Sequence, residues 1–304
     1  MLRSALAPST TKLYNATMAV LFASCNLRLP LRNYAEIMNL FALLLDTTWN
    51  FVMRARQALT AYCTWHNIYL PDLTAKELNL FWRGMKKLTF APPKRQWFVK
   101  FQEVNECIKG WLNNFLATNH PTELRNAAMA ALQYASAQRC QQIRNTNVED
   151  IKFKSDHVEW YINSSKTDQL GIGCTVCVPN AVHSRKEGTI EVAKIIQSLL
   201  NVLDKEEGPL FTVWDSATKK LAQDRRMTIG DWNAALRTMH SKVIRAPSGA
   251  TSHALRRGAL SDIINAGATY ETVRPIAGHH ATAAIFAYHQ TTEDIQRSIL
   301  GVRD

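Results

Sequence analysis

The sequence predicts a mainly α-helical protein with a small β-sheet, arranged as a helical first domain and an α+β second domain. Apolar residues recur every three or four positions along most of the chain, which is the period of helices with one buried face. Residues 157–165 and 174–179 instead alternate and are rich in β-formers, with the turn-forming run "SSKTDQLGIG" between them. These two segments predict one β-hairpin among helices.

Helical segments fill the chain before residue 91. The first, "STTKLYNATMAVLFASC", begins with candidate Ser and Thr caps and has Leu13, Met18, Leu21 and Phe22 at helical spacing. It is followed by "NYAEIMNLFALLL", "NFVMRARQALTAYCTWHN" and "LTAKELNLFWRGMKKLT", the last with Thr74 as a suitable cap. We expect these segments to pack as an all-helical domain.

A break at "FAPPKRQWF" predicts the domain boundary. Its two prolines cannot extend a helix, and Lys94 and Arg95 after them favour an exposed, extended chain. We therefore predict a helical domain at 1–91, a linker at 92–97 and a second domain at 98–304.

The chain is strongly basic, and most of the excess charge lies in its first part. Lys and Arg total 36 against 25 Asp and Glu, a net charge of +11 with a pI near 9.5. Residues 1–97 hold twelve Lys and Arg against four Asp and Glu, and so carry +8 of that total. This imbalance favours a polyanionic partner, and the candidate phosphate contacts are Arg54, Arg56, Lys86, Lys87, Lys94 and Arg95.

In the second part, helices surround the predicted hairpin. They are "FQEVNECIKGWLNNFLA", "PTELRNAAMAALQYASA", "TIEVAKIIQSLLNVL", "TIGDWNAALRTMHSKVI", "SHALRRGALSDIINAG" and a tail helix, "TEDIQRSILG". Helices therefore outnumber strands in this part as well.

The sequence also argues against several classes of protein. No apolar run approaches the ~18 residues that cross a bilayer, and "MLRSALAPSTTK" is a poor signal peptide. No glycine-rich phosphate loop is present, so we expect no nucleotide cofactor. Cys174 and Cys177 form a C-x-x-C on a predicted strand, where they would point to opposite faces and share no metal. We expect reduced, mostly buried thiols and a soluble intracellular protein.

The segment "TSHALRRGALSDIINAGATYETVRPIAGHHATAAIFAYHQ" concentrates histidines, arginines and tyrosines. Thr251 or Ser252 can cap a helix that stops at Gly267. His253 and Arg256 are three residues apart on that helix, so they share one face near its N-terminus. A histidine and an arginine there suit an anion.

A Gly-His pair and a tyrosine follow this helix at defined distances from Arg256. His279 comes directly after Gly278, and Tyr288 lies nine residues beyond it. Arg256 precedes His279 by 23 residues and Tyr288 by 32. The motif H-x-x-R, then G-H, then Y at these spacings resembles the signature of the tyrosine recombinases, the phage integrase family.

The resemblance continues upstream. Arg139 in "LQYASAQRCQQIRNTNVEDIKF" stands at the family's first arginine, and Lys166 in "NSSKTDQLG" at its hairpin lysine. The match covers residues 96–304. Residues 1–90 resemble the family's core-binding (SAM-like) domain, which grips DNA, in size and composition only.

The resemblance implies a site that breaks and rejoins DNA with neither metal nor cofactor. It would comprise a tyrosine that forms a 3′-phosphotyrosyl bond, a histidine that takes its proton, and two arginines that hold the non-bridging oxygens. A lysine would protonate the leaving 5′-oxygen, and a second histidine would hydrogen-bond the phosphate. The resemblance assigns the tyrosine to Tyr288, the histidine that takes its proton to His253, and the two arginines to Arg139 and Arg256. It assigns the lysine to Lys166 and the second histidine to His279.

Some assignments stay open. Tyr270 is a rival nucleophile, and Tyr288 could instead be a core aromatic. Lys152 and Lys154 lie close to Lys166 in the sequence and could take its role.

The sequence departs from the family's pattern at some positions. Gln142 replaces a common acid, so it could orient Arg139 without offsetting its charge. Pro275 must shorten or kink the helix before the Gly-His pair, and His280 makes the assignment of His279 ambiguous. We expect Arg144 to be a surface residue or salt-bridge partner, and Arg257 a supporting or surface residue. These departures suggest a divergent member of the family, such as one from a mobile element.

We therefore expect a site-specific recombinase or integrase that acts on double-stranded DNA, in the cytoplasm and nucleoid or in a nucleus. A type IB topoisomerase-like enzyme and a catalytically inactive DNA-binding protein on the same fold are the alternatives. The two domains and their linker would form a clamp around DNA. The tail after Tyr288 has an apolar face at Ile295, Ile299 and Leu300, which predicts docking on a neighbouring protomer in a dimer or tetramer.

Overall fold

The computed structural model describes residues 6–89, 98–163, 173–184, 187–245, 248–269, 271 and 273. By its internal contacts the chain divides into two compact units, Met1–Arg95 and Gln96–Asp304. Several predicted residues lie outside the described ones, namely Lys94, Arg95, Lys166, Tyr270, Pro275, His279, His280, Tyr288 and the tail with Ile295, Ile299 and Leu300.

The described part of the first unit is helical. Its helices are α1 (Pro8–Ser24), α2 (Tyr34–Ala42), α3 (Trp49–Trp65) and α4 (Asn79–Thr89), with a 3-10 turn at Lys76–Leu78 before α4. Side-chain oxygens of Asn33 and Thr48 cap α2 and α3 by accepting main-chain N–H groups.

One expectation for this unit is wrong. Thr74 caps no helix, because its N–H and its hydroxyl both donate to Asp72 at 2.8 and 2.7 Å, and the 3-10 turn precedes α4. On α1, Met18 is buried, but Leu13 and Phe22 are 44% and 39% exposed. α1 packs mainly along α3, and its buried residues are Thr17, Met18 and Leu21.

In the second unit one helix lies at the centre of the core. The helices are α5 (Phe101–Thr118), α6 (Pro121–Ser136), α7 (Cys140–Asn145), α8 (Val192–Leu203), α9 (Ile229–Ile244) and α10 (Ser252–Asn265). α6 is buried over almost its whole length and packs against α5, α8 and α10. A helix buried on all sides is held by its neighbours rather than by solvent-facing polar residues.

The strands of this unit form small antiparallel sheets. They are β1 (Ile151–Phe153), β2 (His157–Ile162), β3 (Cys174–Pro179), β4 (Val182–Ser184), β5 (Gly188–Ile190), β6 (Thr212–Asp215) and β7 (Lys220–Arg226). β2 and β3 pair as the predicted hairpin, from His157 opposite Pro179 to Ile162 opposite Cys174, and β1 pairs with the other edge of β2. The hairpins β4–β5 and β6–β7 are not anticipated from the sequence, because strands of three residues are too short to alternate and β7 is largely polar.

The cysteines are free thiols. Cys25, Cys63, Cys107 and Cys140 are buried as expected, whereas Cys174 and Cys177 are both exposed. β3 is an edge strand on which only Val178 is buried, so its position in the sheet explains the exposure of both thiols. Among the described residues, no group of three His, Cys, Asp or Glu side chains could hold a metal ion. No described helix is both long and apolar enough to cross a membrane.

Candidate catalytic site

The helix α10 begins and ends as its sequence predicts. The Thr251 hydroxyl accepts the N–H of Ala254 at 3.1 Å, which makes Thr251 the N-cap. After Asn265, Gly267 takes a left-handed conformation with φ of +100°, and the N–H of Ala268 donates back to Ile263 at 3.3 Å. Both ends of the helix that carries His253 and Arg256 are therefore fixed by local chemistry.

Arg256 is fully buried, with 0% of its surface exposed. It shares the inner side of α10 with Leu255 and Ala259, which belong to the core of the second unit. An arginine keeps its charge at every physiological pH, so enclosing it is costly unless the charge is compensated. Its burial on the helix that also carries His253 makes Arg256 a candidate site residue.

Arg139 lies in the short connection between α6 and α7. The chain leaves α6 through Ala137 in a left-handed conformation, and Arg139 then occupies the position before the first turn of α7. Its main-chain N–H donates to the side-chain oxygen of Gln142 at 3.0 Å, while its side chain is half-buried. Gln142 thus fixes the backbone of Arg139 without adding a negative charge.

His253 lies within the electrostatic field of three arginines. Desolvation by burial, together with the charges of Arg257, Arg256 and Arg139, lowers its pKa from 6.5 to about 4. His253 is nevertheless an exposed residue, so it is accessible from solvent. At neutral pH the imidazole is therefore uncharged and able to accept a proton.

The structure thus brings together the three predicted catalytic residues that it describes. Arg139 lies far from His253 and Arg256 in the sequence, yet its charge acts on the same imidazole. Arg257 was left open between a supporting and a surface role, and it is the largest of the three charge effects on His253. Its position directly after Arg256 was the available sequence signal.

A close contact with the preceding chain holds α10 in place. The N–H of Val99 donates to the carbonyl of Ala254 at 3.2 Å, and Val99 is fully buried. The chain runs so near the helix that a Cβ on Gly258 would lie 1.8 Å from the carbonyl oxygen of Val99. Only glycine permits this approach.

Arg144, expected to be a surface residue or a salt-bridge partner, is half-buried and instead makes main-chain hydrogen bonds. Its Nε donates to the carbonyl of Met227 at 3.1 Å. In return, Arg226 donates to the carbonyls of Arg144 and Thr146 at 3.1 and 3.0 Å. These bonds fasten α7, the helix that follows Arg139, to the junction of β7 and α9.

The candidate phosphate contacts of the first unit do not share one face. The guanidinium of Arg54 lies 4.9 Å from the centre of the Phe51 ring, and that of Arg56 lies 5.0 Å from Trp82 of α4. Two residues along a helix correspond to roughly 200° of rotation, so these arginines leave α3 on nearly opposite sides. Lys86 and Lys87 are exposed in the last turn of α4, the helix whose Trp82 ring Arg56 contacts.

Comparison with protein families gives one match that covers much of the chain. The sequence model of the family described as "Phage integrase family" matches residues 109–294. No curated protein sequence matches the chain.

Solved structures share the fold at low sequence identity. The post-cleavage complex of the XerH site-specific recombinase with a palindromic difH substrate is 10% identical, with a TM-score of 0.66, over 97% of this chain and 79% of that one. The Tn1549 transposon integrase with a circular intermediate DNA is 13% identical, with a TM-score of 0.63, over 98% and 95%. A lambda integrase dimer bound to a COC′ core site is 14% identical, with a TM-score of 0.62, over 94% and 72%.

Proposed function

The chain belongs to the phage integrase family, and from this premise we propose that it is a site-specific DNA recombinase that cleaves and rejoins strands through a 3′-phosphotyrosyl intermediate. The observation that carries the proposal is the placement of His253 on α10 with the buried Arg256 and with Arg257, within the field of Arg139, which lowers the pKa of His253 and keeps it uncharged at neutral pH. One neutral base among several permanent cations is what a metal-free attack on a phosphodiester requires, because negative charge grows on the phosphate while a proton must be removed.

The reaction begins with the nucleophile, which we assign to Tyr288. Its phenol has an ordinary pKa of ~10, so at neutral pH it needs a base as it attacks. His253 takes the phenolic proton while the tyrosine oxygen bonds to phosphorus and the bond from phosphorus to the 5′-oxygen breaks. Lys166 gives the departing oxygen a proton, which leaves a free 5′-hydroxyl. The new phosphotyrosyl bond conserves the energy of the broken one, so rejoining needs no nucleotide.

The remaining charges act on the phosphate itself. Arg139 and Arg256 bind its two non-bridging oxygens, and His279 hydrogen-bonds the same group. The burial of Arg256 supports this assignment, since a guanidinium fixed in advance stabilises the transition state without having to reorganise. Removing one preorganised partner of this kind typically slows a reaction by ~10²–10³.

We extend the proposal to the whole chain. Residues 1–91 form a core-binding domain that grips duplex DNA, the linker 92–97 joins it to the catalytic domain 98–304, and the two domains clamp the duplex. The lambda integrase structures, a dimer on a core site and a tetramer on a Holliday junction, support assembly on DNA. The tail helix around Ile295–Leu300 would dock on the neighbouring protomer. The enzyme would act on DNA inside the cell, in the cytoplasm and nucleoid or in a nucleus.

A covalent trapping assay tests this function. Supercoiled plasmid and a nicked duplex carrying the native junction are incubated with the protein and quenched with detergent. We expect a protein–DNA adduct that maps to the peptide containing "AIFAYHQ" and that disappears in Tyr288→Phe, which keeps the ring but lacks the attacking oxygen.

Tyr270→Phe is the matched control and should retain the adduct. A nucleotide attached to Tyr270 would overturn the assignment of the nucleophile. Relaxation of the plasmid by a monomer without strand exchange would identify a topoisomerase, and DNA binding without any adduct would identify an inactive relative. The family match and the recombinases among the structural neighbours favour neither alternative.

A further inference from the structure

Ser252, the residue directly before His253, is held from three directions. Its main-chain N–H donates to the side-chain oxygen of Asn233 on α9 at 2.8 Å. Its carbonyl accepts from the side-chain amide of Gln133 on α6 at 3.1 Å. Its hydroxyl hydrogen-bonds the thiol of Cys140, the first residue of α7 and the neighbour of Arg139. The first turn of α10 is thus tied to each helix that borders the site.

Gln133 is the central member of this set. It is completely buried. Its side-chain oxygen accepts the indole N–H of Trp232 at 2.9 Å, and its side-chain nitrogen donates to the carbonyl of Ser252. Trp232 is itself buried against Trp111, with the ring centres 5.8 Å apart. Both ends of the amide are therefore engaged, and the group can adopt only one orientation.

The buried side-chain amide of Gln133 calls for an explanation, because α6 consists of alanines and other core residues. An apolar side chain would fill the same space at no polar cost, and a buried amide contributes to stability only while its bonds are made. Three residues after Gln133, α6 ends at Ser136, and the chain continues to Arg139. The amide therefore joins the helix that delivers Arg139 to the turn that delivers His253 and Arg256.

We propose that Gln133 is a positioning residue for strand cleavage, which locks the first turn of α10 onto α6 and so sets the distance between His253, Arg256 and Arg139. This role rests on the proposed function. It requires no contact between Gln133 and DNA, so DNA affinity should not depend on the amide. Misplacing catalytic groups by about 1 Å can cost about 10²-fold in rate, so loss of the lock should appear in the cleavage step.

The test compares Gln133→Met, which keeps the length of the side chain but lacks its polar atoms, with Asn105→Leu. Asn105 is also buried and also donates to a main-chain carbonyl, but that carbonyl, of Glu187 at 2.8 Å, belongs to the chain before β5 and not to α10. On saturating DNA we expect Gln133→Met to cleave about 10- to 100-fold more slowly with an unchanged Kd, and Asn105→Leu to cleave at the wild-type rate. Cleavage by Gln133→Met within two-fold of wild type, or equal slowing in Asn105→Leu, would overturn the proposal.

Two further measurements keep the result decisive. If Gln133→Met does not fold, Asn233→Ala removes the half-buried partner of the Ser252 N–H and should show the same selective loss of cleavage rate; a wild-type rate in that variant would count against the lock. The pKa of His253, followed by NMR in the free protein, should move towards its ordinary value in Gln133→Met. An unchanged pKa rejects the positioning role even if the wild-type protein forms no adduct, an outcome that would instead reject the proposed recombinase function.

Discussion

At the scale of the residue, the site depends on how charge is distributed around one imidazole. Burial and three arginines lower the pKa of His253 to about 4, against 6.5 for an unperturbed histidine. Burial disfavours the imidazolium because it removes water, and the arginines disfavour it because they are like charges. The same cations that would attract a phosphate thus keep the base ready to accept a proton at neutral pH.

The charge of Arg257 can be removed to test this account. In Arg257→Gln we expect the pKa of His253 to rise towards 6.5, because Arg257 is the largest charge effect on the ring. Measurement by NMR of the imidazole signals during a pH titration decides the matter. Arg237→Gln, an exposed arginine of α9 that does not act on His253, should leave the pKa unchanged. An Arg257→Gln protein with the wild-type pKa would show that Arg257 does not contribute to the shift.

The sign of the accompanying stability effect follows from linkage. The folded pKa of His253 lies below the unfolded one, so between about 4 and 6.5 the unfolded chain binds more protons. This contribution to the free energy of unfolding is complete above pH 6.5 and is lost as the pH falls towards 4. In Arg257→Gln the loss should be smaller, because the folded and unfolded pKa values of His253 are closer together.

At the scale of the element, the structure depends on close packing around α10. α6 carries Gln133 and leads to Arg139, α9 carries Trp232 and Asn233, and the chain at Val99 runs along α10 beside Gly258. Each contact fixes the rotation of α10 about its axis, and that rotation decides which residues reach the site.

Gly258→Ala tests the closest of these contacts. The added Cβ would lie 1.8 Å from the carbonyl of Val99, which is backbone and cannot swing aside. We expect the segment before α5 to be displaced, with a loss of about 1–3 kcal/mol in the free energy of unfolding, measured by urea denaturation. The cleavage rate should fall as well, because the Val99–Ala254 hydrogen bond breaks next to His253.

Gly84→Ala is the matched control for that experiment. Gly84 is also within a helix, α4, but a Cβ there would meet nothing within 4 Å. Alanine is the better helix former, so this change should stabilise its unit by up to about 1 kcal/mol. Equal destabilisation by both substitutions would mean that packing against Val99 is not the cause.

At the scale of the whole molecule, the feature to explain is the uneven charge. Residues 1–97 carry +8 of the net +11. Arg56 contacts α4, which ends with the exposed Lys86 and Lys87, while Arg54 leaves α3 on another side. This arrangement narrows the proposed DNA-gripping face of the first unit to α4 and the adjoining side of α3.

Reversing both lysines, in Lys86→Glu with Lys87→Glu, should weaken DNA binding and flatten its salt dependence. Each lost phosphate contact reduces the slope of log K against log salt by about 0.9, so two contacts give a change of about 1.8. The control reverses Lys12 and Arg28, which are exposed in the same unit and outside the proposed face, for the same change in net charge. Identical slopes in both double variants would indicate a general effect of net charge and remove the assignment.

The sequence by itself determined the features that depend on local spacing. Periodicity and caps define α10 and the other main helices, and alternation defines the β2–β3 hairpin, because these signals involve residues only a few positions apart. The spacing of His253, Arg256, His279 and Tyr288 led to the family that the domain match supports.

Only the tertiary structure decided which distant groups meet. It placed the charge of Arg139 near His253 and left Leu13 and Phe22 exposed. It also gave Arg144 a hydrogen bond to the carbonyl of Met227. It also gave Gln133 its partners on α9 and α10, where the sequence shows only a polar residue in an apolar run. Burial, desolvation and the Coulomb field depend on neighbours far apart along the chain, so no local pattern carries them.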